Sequence, residues 1–173
     1  MESFEDMLKG GHSNSLGRTV EVVEEVLKEN GRFDELFGCY FSDDEVVRLR
    51  VSNAMKRIAK AQKELLIPYM DRLLEEISKI DQASAQWTLS QLFLIYQKDL
   101  NSIQKAKAQF IMMNNIEHHN DWIVLSQTTE TLTKWAKKDL GLQAWLMPHL
   151  ERLAHDPRKS VAKKANKALE TLA

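Results

Sequence analysis

Residues 44–58 read Asp44-Glu45-Val46-Val47-Arg48-Leu49-Arg50-Val51-Ser52-Asn53-Ala54-Met55-Lys56-Arg57-Ile58. Val47, Val51, Ala54, Met55 and Ile58 follow the spacing that lines one face of an α-helix. Ser42-Asp43-Asp44-Glu45 just upstream offers an N-cap and acidic residues for the first turn, where the helix dipole favours negative charge. The stripe then recurs. It returns as Ala85, Leu89, Leu92, Phe93 and Tyr96, displaced by 38 residues, and as Val124, Thr128, Thr131, Leu132 and Trp135, a further 39 on. A last copy, Val161, Ala165, Ala168, Leu169 and Leu172, lies 37 beyond that.

The intervening helices repeat as well. Leu66-Ile67-Pro68-Tyr69-Met70-Asp71-Arg72-Leu73 matches Leu146-Met147-Pro148-His149-Leu150-Glu151-Arg152-Leu153 position by position, 80 residues later. Proline is tolerated in a helix's first turn, where its missing N–H would lack a partner anyway. Pro68 and Pro148 are therefore predicted to mark helix starts, with the first of these helices running on through Leu73, Leu74 and Ile77. A unit of 37 to 39 residues made of two amphipathic helices buries its apolar face by stacking on its neighbours. The predicted class is all-α: an α-α superhelix of about four helical hairpins plus a closing helix.

Residues 43–50 with Ala54-Met55, and Asp156-Pro157-Arg158-Lys159-Ser160-Val161-Ala162-Lys163-Lys164-Ala165 with Ala168-Leu169, resemble first helices of HEAT repeats, an armadillo-like solenoid family. The hairpin near residues 100–117 lacks the proline, and the first helices lack the mid-helix proline of some members. The resemblance implies a right-handed solenoid whose second helices line a concave side and bind other macromolecules, mostly proteins.

Upstream, Phe4, Met7 and Leu8 stand at helical spacing before a break at Gly10-Gly11-His12-Ser13-Asn14-Ser15. A helix is expected from about Ser15 to Glu29, striped by Val20, Val23, Val26 and Leu27 and stopped at Gly31, with a short piece from Phe33 to Phe41. The expected organisation is an N-terminal segment over 1–14 and a single repeat domain over 15–173. The glycines between Gly10 and Gly17 suit a plain connection, and they also permit a ligand to approach the backbone closely.

Composition agrees with a helical globular domain. Hydrophobic residues make up 43% and charged residues 28%, and six Gly and three Pro are too few for the turns of an all-β fold. No stretch approaches the roughly 18 uncharged apolar residues of a membrane span. The acidic N-terminus has no signal-peptide character, and a lone Cys39 suits a reducing compartment, so a cytoplasmic location is expected. The net charge of −1 hides an asymmetry: residues 1–45 carry 12 Asp/Glu against 4 Lys/Arg, and residues 134–173 carry 9 Lys/Arg against 4 Asp/Glu. Such a field suits solvated faces of differing sign, end-to-end association, or steering of a charged partner.

Chemistry finds little support. Adjacent His118 and His119 point about 100° apart on a helix and do not converge on one ion, so they are read as ending one helix, with Asn120 or Asp121 capping the next. Cys39 sits in the apolar run Phe37-Gly38-Cys39-Tyr40-Phe41, which quiets a thiol. No nucleophile elbow or phosphate-cradling loop is present. No catalytic residue, metal or cofactor is therefore expected. Of the four tryptophans, Trp135 and Trp145 fall on core positions, Trp87 aligns with Leu49 and Lys163 off the stripe, and Trp122 opens a helix.

The functional expectation is a non-catalytic adapter that binds a protein partner, as a monomer or weak homo-oligomer. Its binding strip would come from outward positions of the second helices: Tyr69, Arg72 and Glu76 in one hairpin, Gln104 and Lys107 in the next, and His149 and Arg152 in the last. The rival is a nucleic-acid-binding protein resembling the HEAT-like alkylpurine DNA glycosylases, which grip DNA on a basic concave face. Against it stand the acidic N-terminal hairpins and the absence of aromatic residues among Arg152, Arg158, Lys159, Lys163, Lys164 and Lys167.

Overall fold

The computed structural model describes residues 1–173, of which 76% are helical and none lies in a β-strand. The fold is all-α, and its helices pack against one another in two compact units, Met1–Thr88 and Leu89–Ala173. The repeated stripe lies in the core. Every position of the first three copies is buried, as are Val161, Ala165 and Ala168 of the fourth. Leu169 and Leu172, in the last turn of the final helix, are half-buried.

The first unit holds α1 (Phe4–Leu8), α2 (Thr19–Lys28), α3 (Phe33–Gly38), α4 (Glu45–Ala61), α5 (Met70–Glu75) and the start of α6 (Ala83–Ile95). The expected cap of α4 is made: an Asp44 carboxylate oxygen accepts from the Val46 amide at 2.8 Å. Phe4, Met7 and Leu8 of the N-terminal segment are buried in this unit's core, while residues 9–14 are exposed. The Phe4 amide donates to Glu35 at 2.9 Å, and the Arg32 guanidinium lies 3.8 Å from the centre of the Phe4 ring. The helix expected from Leu66 to Ile77 is interrupted. Pro68 sits in a 3-10 turn over Ile67–Tyr69, α5 follows, and a second turn spans Ile77–Lys79.

Arg50 ties α4 to the loop between α1 and α2. Its side chain is 1% exposed, and its four hydrogen bonds all go to backbone carbonyls. Nη1 donates to Leu8 at 2.8 Å and Gly10 at 2.6 Å, Nη2 to His12 at 3.2 Å, and Nε to Ser15 at 3.2 Å. A buried cation is tolerated only when its donors are answered, and here the loop's carbonyls answer them. Gly17 has a φ of +52°, and a Cβ there would stand 2.9 Å from the Arg50 guanidinium. Glycine therefore does permit a close approach in this loop, and the group that approaches is the chain's own arginine.

The second unit holds the rest of α6 with α7 (Ser102–His118), α8 (Trp122–Ala136), α9 (Leu140–Leu153) and α10 (Lys159–Leu172). α8 packs against α7, α9 and α10. Two of its stripe positions are threonines where other copies carry aliphatic residues. Both hydroxyls are satisfied at Ser90 of α6: Thr128 pairs with its hydroxyl at 2.9 Å and Thr131 donates to its carbonyl at 2.8 Å.

Pro148 does not start a helix. It is the ninth residue of α9, which Asp139 opens by accepting from the Leu142 amide at 3.0 Å. The aligned side chains still share their burial: Leu146, Leu150 and Leu153 are inside like Leu66, Met70 and Leu73, and both prolines are exposed. The repeat thus conserves which residues face inward, while the capping aspartate decides where the helix begins. The proline deprives exposed Ala144 of its i+4 donor, a group water replaces.

Two outcomes follow for stability. Arg50→Ala should cost at least about 3 kcal/mol in denaturant unfolding, because several charged hydrogen bonds are lost together. Arg50→Lys should recover only part of this, since one ammonium does not reproduce the guanidinium fork. Wild-type stability in either variant contradicts this role. Pro148→Ala should raise stability by about 1–3 kcal/mol, the penalty of an interior helix proline, while Pro68→Ala should not. A Pro148→Ala protein no more stable than wild type contradicts a continuous α9.

Candidate interaction surface

Of the expected strip, Tyr69, Arg72 and Glu76 lie in the first unit and Gln104, Lys107, His149 and Arg152 in the second. Tyr69, Arg72 and Glu76 do come together. The Tyr69 ring meets Phe33 edge-on at 4.7 Å and Phe37 at 4.9 Å, and its hydroxyl donates to Asp34 at 3.1 Å. Burial, with the Asp34 carboxylate beside it, pushes the Tyr69 hydroxyl pKa up. The Arg72 guanidinium lies 4.6 Å from the centre of the Phe37 ring, with Nε donating to Glu76 at 2.7 Å and Nη1 3.6 Å from Asp34. These groups satisfy one another, and as exposed ion pairs they contribute little to stability. Half-exposed Phe41, 6.4 Å from Phe37, extends the patch.

In the second unit three of the four expected contact residues hold the helices. Gln104 closes a capping box: Asn101 accepts from the Gln104 amide at 2.8 Å, and the Gln104 side chain accepts from the Asn101 amide at 3.1 Å. Arg152 of α9 donates from Nη2 to the Ile116 carbonyl at 3.1 Å, in the last turn of α7, where cations are favoured. The same Nη2 contacts His149 Nδ1 at 3.2 Å, so that nitrogen accepts. Burial, then the Arg152 cation, lower the His149 pKa, and Glu117 at 3.9 Å opposes them. Its ring lies 4.3 Å from that of half-buried Trp145, tilted by 38°.

Lys107 is the exposed member, and its neighbours on α7 were missed by the sequence reading. Ile103 is 69% exposed and Phe110 72%, with exposed Ala106 and half-exposed Met113 on the same side. These residues recur at i, i+3, i+7 and i+10, opposite the buried Ala108, Met112, Asn115 and Ile116. Beside them a shallow groove of about 370 Å³, lined by Lys105, runs from Ser102 to Met113. The signal was present in the sequence: α7 carries two apolar faces where a helix of a closed core carries one. Trp122, half-exposed, opens α8, and Trp87 is half-buried beside Leu49.

His118 and His119 end α7 and lead into α8. His118 Nε2 lies 3.4 Å from Glu117, while His119 Nδ1 accepts from the amide of Asp121, the residue that caps α8 through Ile123 and Val124. Comparisons with protein-family models, curated proteins and solved structures found no match.

Cys39 is buried, its thiol donates to the Glu35 carbonyl at 3.4 Å, and burial pushes its pKa up to about 12, with Glu5 and Glu35 adding to the shift. At pH 8 it should resist a water-soluble thiol reagent in the native protein and react at once in denaturant. Rapid native labelling contradicts this placement.

Proposed function

We propose that this chain is a non-catalytic interaction module of the HEAT-repeat kind, that it docks a protein partner on the outer face of α7, and that it works in the cytoplasm. The observation that supports this most is the pair Ile103 and Phe110, two large apolar side chains left in water on one face. Isolated exposed apolar residues are ordinary, but a row at helical spacing beside a groove is the form of a helix-docking surface. Lys105 lines the groove beside the row, so the complementary partner is an amphipathic helix with an acidic residue bordering its apolar stripe. Tyr69, Arg72 and Phe41 offer a second contact area of the aromatic and arginine type enriched at hot spots. The unpaired Cys39 agrees with a reducing compartment.

The test is affinity capture with the full chain, comparing wild type, Ile103→Asp/Phe110→Asp, and Leu140→Asp as an exposed control, each checked for wild-type helicity. A partner held by wild type and by the control should be lost at least about tenfold in the double variant, as removal of a central apolar anchor requires. Recovery of the same proteins by all three overturns the proposal. Sub-micromolar binding of duplex DNA at physiological salt would promote the nucleic-acid rival instead.

A further inference from the structure

A groove of about 240 Å³ opens between α8 and α10 in the second unit, and four lysines line it: Lys134 and Lys137 from α8, Lys164 and Lys167 from α10. Glu130 is the one acidic residue on its wall. Its carboxylate lies 3.8 Å from Lys134 and 3.7 Å from Lys164, which leaves Lys137 and Lys167 without a carboxylate. We propose that this groove binds a multiply charged phosphate group.

Helix electrostatics account for only half of the cluster. Lys134 and Lys137 stand at the C-terminal end of α8, where the dipole favours cations. Lys164 and Lys167 lie within α10, away from its C-terminal turn, and no such effect places them there. Four like charges brought to one groove repel one another, and Glu130 offsets one of them. The remaining excess of three positive charges is what an anion would neutralise.

The repeat sharpens the point. Lys164 occupies the position that Arg50 holds in α4. There the cation is buried and its donors are answered by the carbonyls of the preceding loop. The Lys164 side chain is instead 33% exposed and lines the groove.

The charge count selects the ligand class. A single carboxylate brings one charge and two oxygens, too few for the excess. A phosphate ester or pyrophosphate brings two or more charges and oxygens directed to several sides, which suits separate ammonium groups that act as point charges rather than a guanidinium fork. The groove is smaller than a typical drug-sized pocket, so it fits a phosphate group and not the whole of a large ligand.

The experiment titrates the full chain with inorganic pyrophosphate by calorimetry at physiological ionic strength. It compares wild type, Lys137→Glu/Lys167→Glu, and Lys159→Glu/Lys163→Glu, which makes the same charge change on α10 outside the groove. Helicity is verified for each. Binding should fall at least about tenfold in the groove variant and change by less than about threefold in the control. Glu130→Gln should tighten binding, and Glu151→Gln, an equal charge change elsewhere, should not. No binding by wild type, or equal losses in the two lysine variants, overturns the proposal, the latter because it reports a diffuse basic surface. Duplex DNA that binds through both lysine sets alike overturns it in the same way. Vesicles of neutral lipid with and without a phosphoinositide distinguish the source: binding only to the phosphoinositide vesicles, through Lys137 and Lys167, supports a lipid headgroup. Pyrophosphate binding without vesicle binding supports a soluble phosphate compound.

Discussion

A pair of amphipathic helices has more apolar surface than it can cover by itself, and this constraint governs the whole chain. The stripe Val47, Val51, Ala54, Met55 and Ile58 and its three copies are removed from water wherever a neighbouring helix lies over them. Each large aliphatic side chain buried in this way contributes roughly 1.5–3 kcal/mol, so the repeat supplies the main favourable term. Two threonines of the third copy compensate for the hydroxyls they bring into it. Thr128 and Thr131 do so by sharing the hydroxyl and carbonyl of Ser90, so their polar atoms enter the core without an unmet hydrogen bond.

At the N-terminal end the same constraint takes a polar form. Arg50 projects from α4 beneath the loop joining α1 and α2, and a buried guanidinium cannot remain unanswered. The loop curls around it, presenting three carbonyls beside that of Leu8 at the end of α1, and glycine at positions 10, 11 and 17 gives the backbone the positive φ this requires. The contact orders an otherwise polar loop and attaches α1, with Phe4, Met7 and Leu8, to the core.

The polar side chains of the second helices divide between holding and offering. Arg152 and His149 join α9 to the end of α7, and Gln104 caps α7, so their chemistry is directed within the unit. Ile103, Phe110 and Lys107 on α7, and Tyr69 with Arg72 near α5, remain accessible. The accessible face of α7 thus carries large apolar side chains beside the polar positions expected from the sequence.

Helical class, the stripe, a cap within residues 42–45 and one at Asn120 or Asp121 were legible in the sequence, because periodicity and capping depend on residues a few positions apart. The apolar outer face of α7 was legible too, in the spacing of Ile103, Ala106, Phe110 and Met113, had both faces of that helix been counted. The start of α9 at Asp139 rather than Pro148 turned on a competition between two local signals, which the aspartate's cap resolved nine residues upstream. What only the tertiary structure decided are the meetings of distant residues: Arg50 with the carbonyls of residues 8–15, Arg152 with the end of α7, and Lys134 and Lys137 with Lys164 and Lys167. A helix fixes which of its residues share a face, but the neighbour packed against that face determines whether a charge there is buried, paired or left open to solvent.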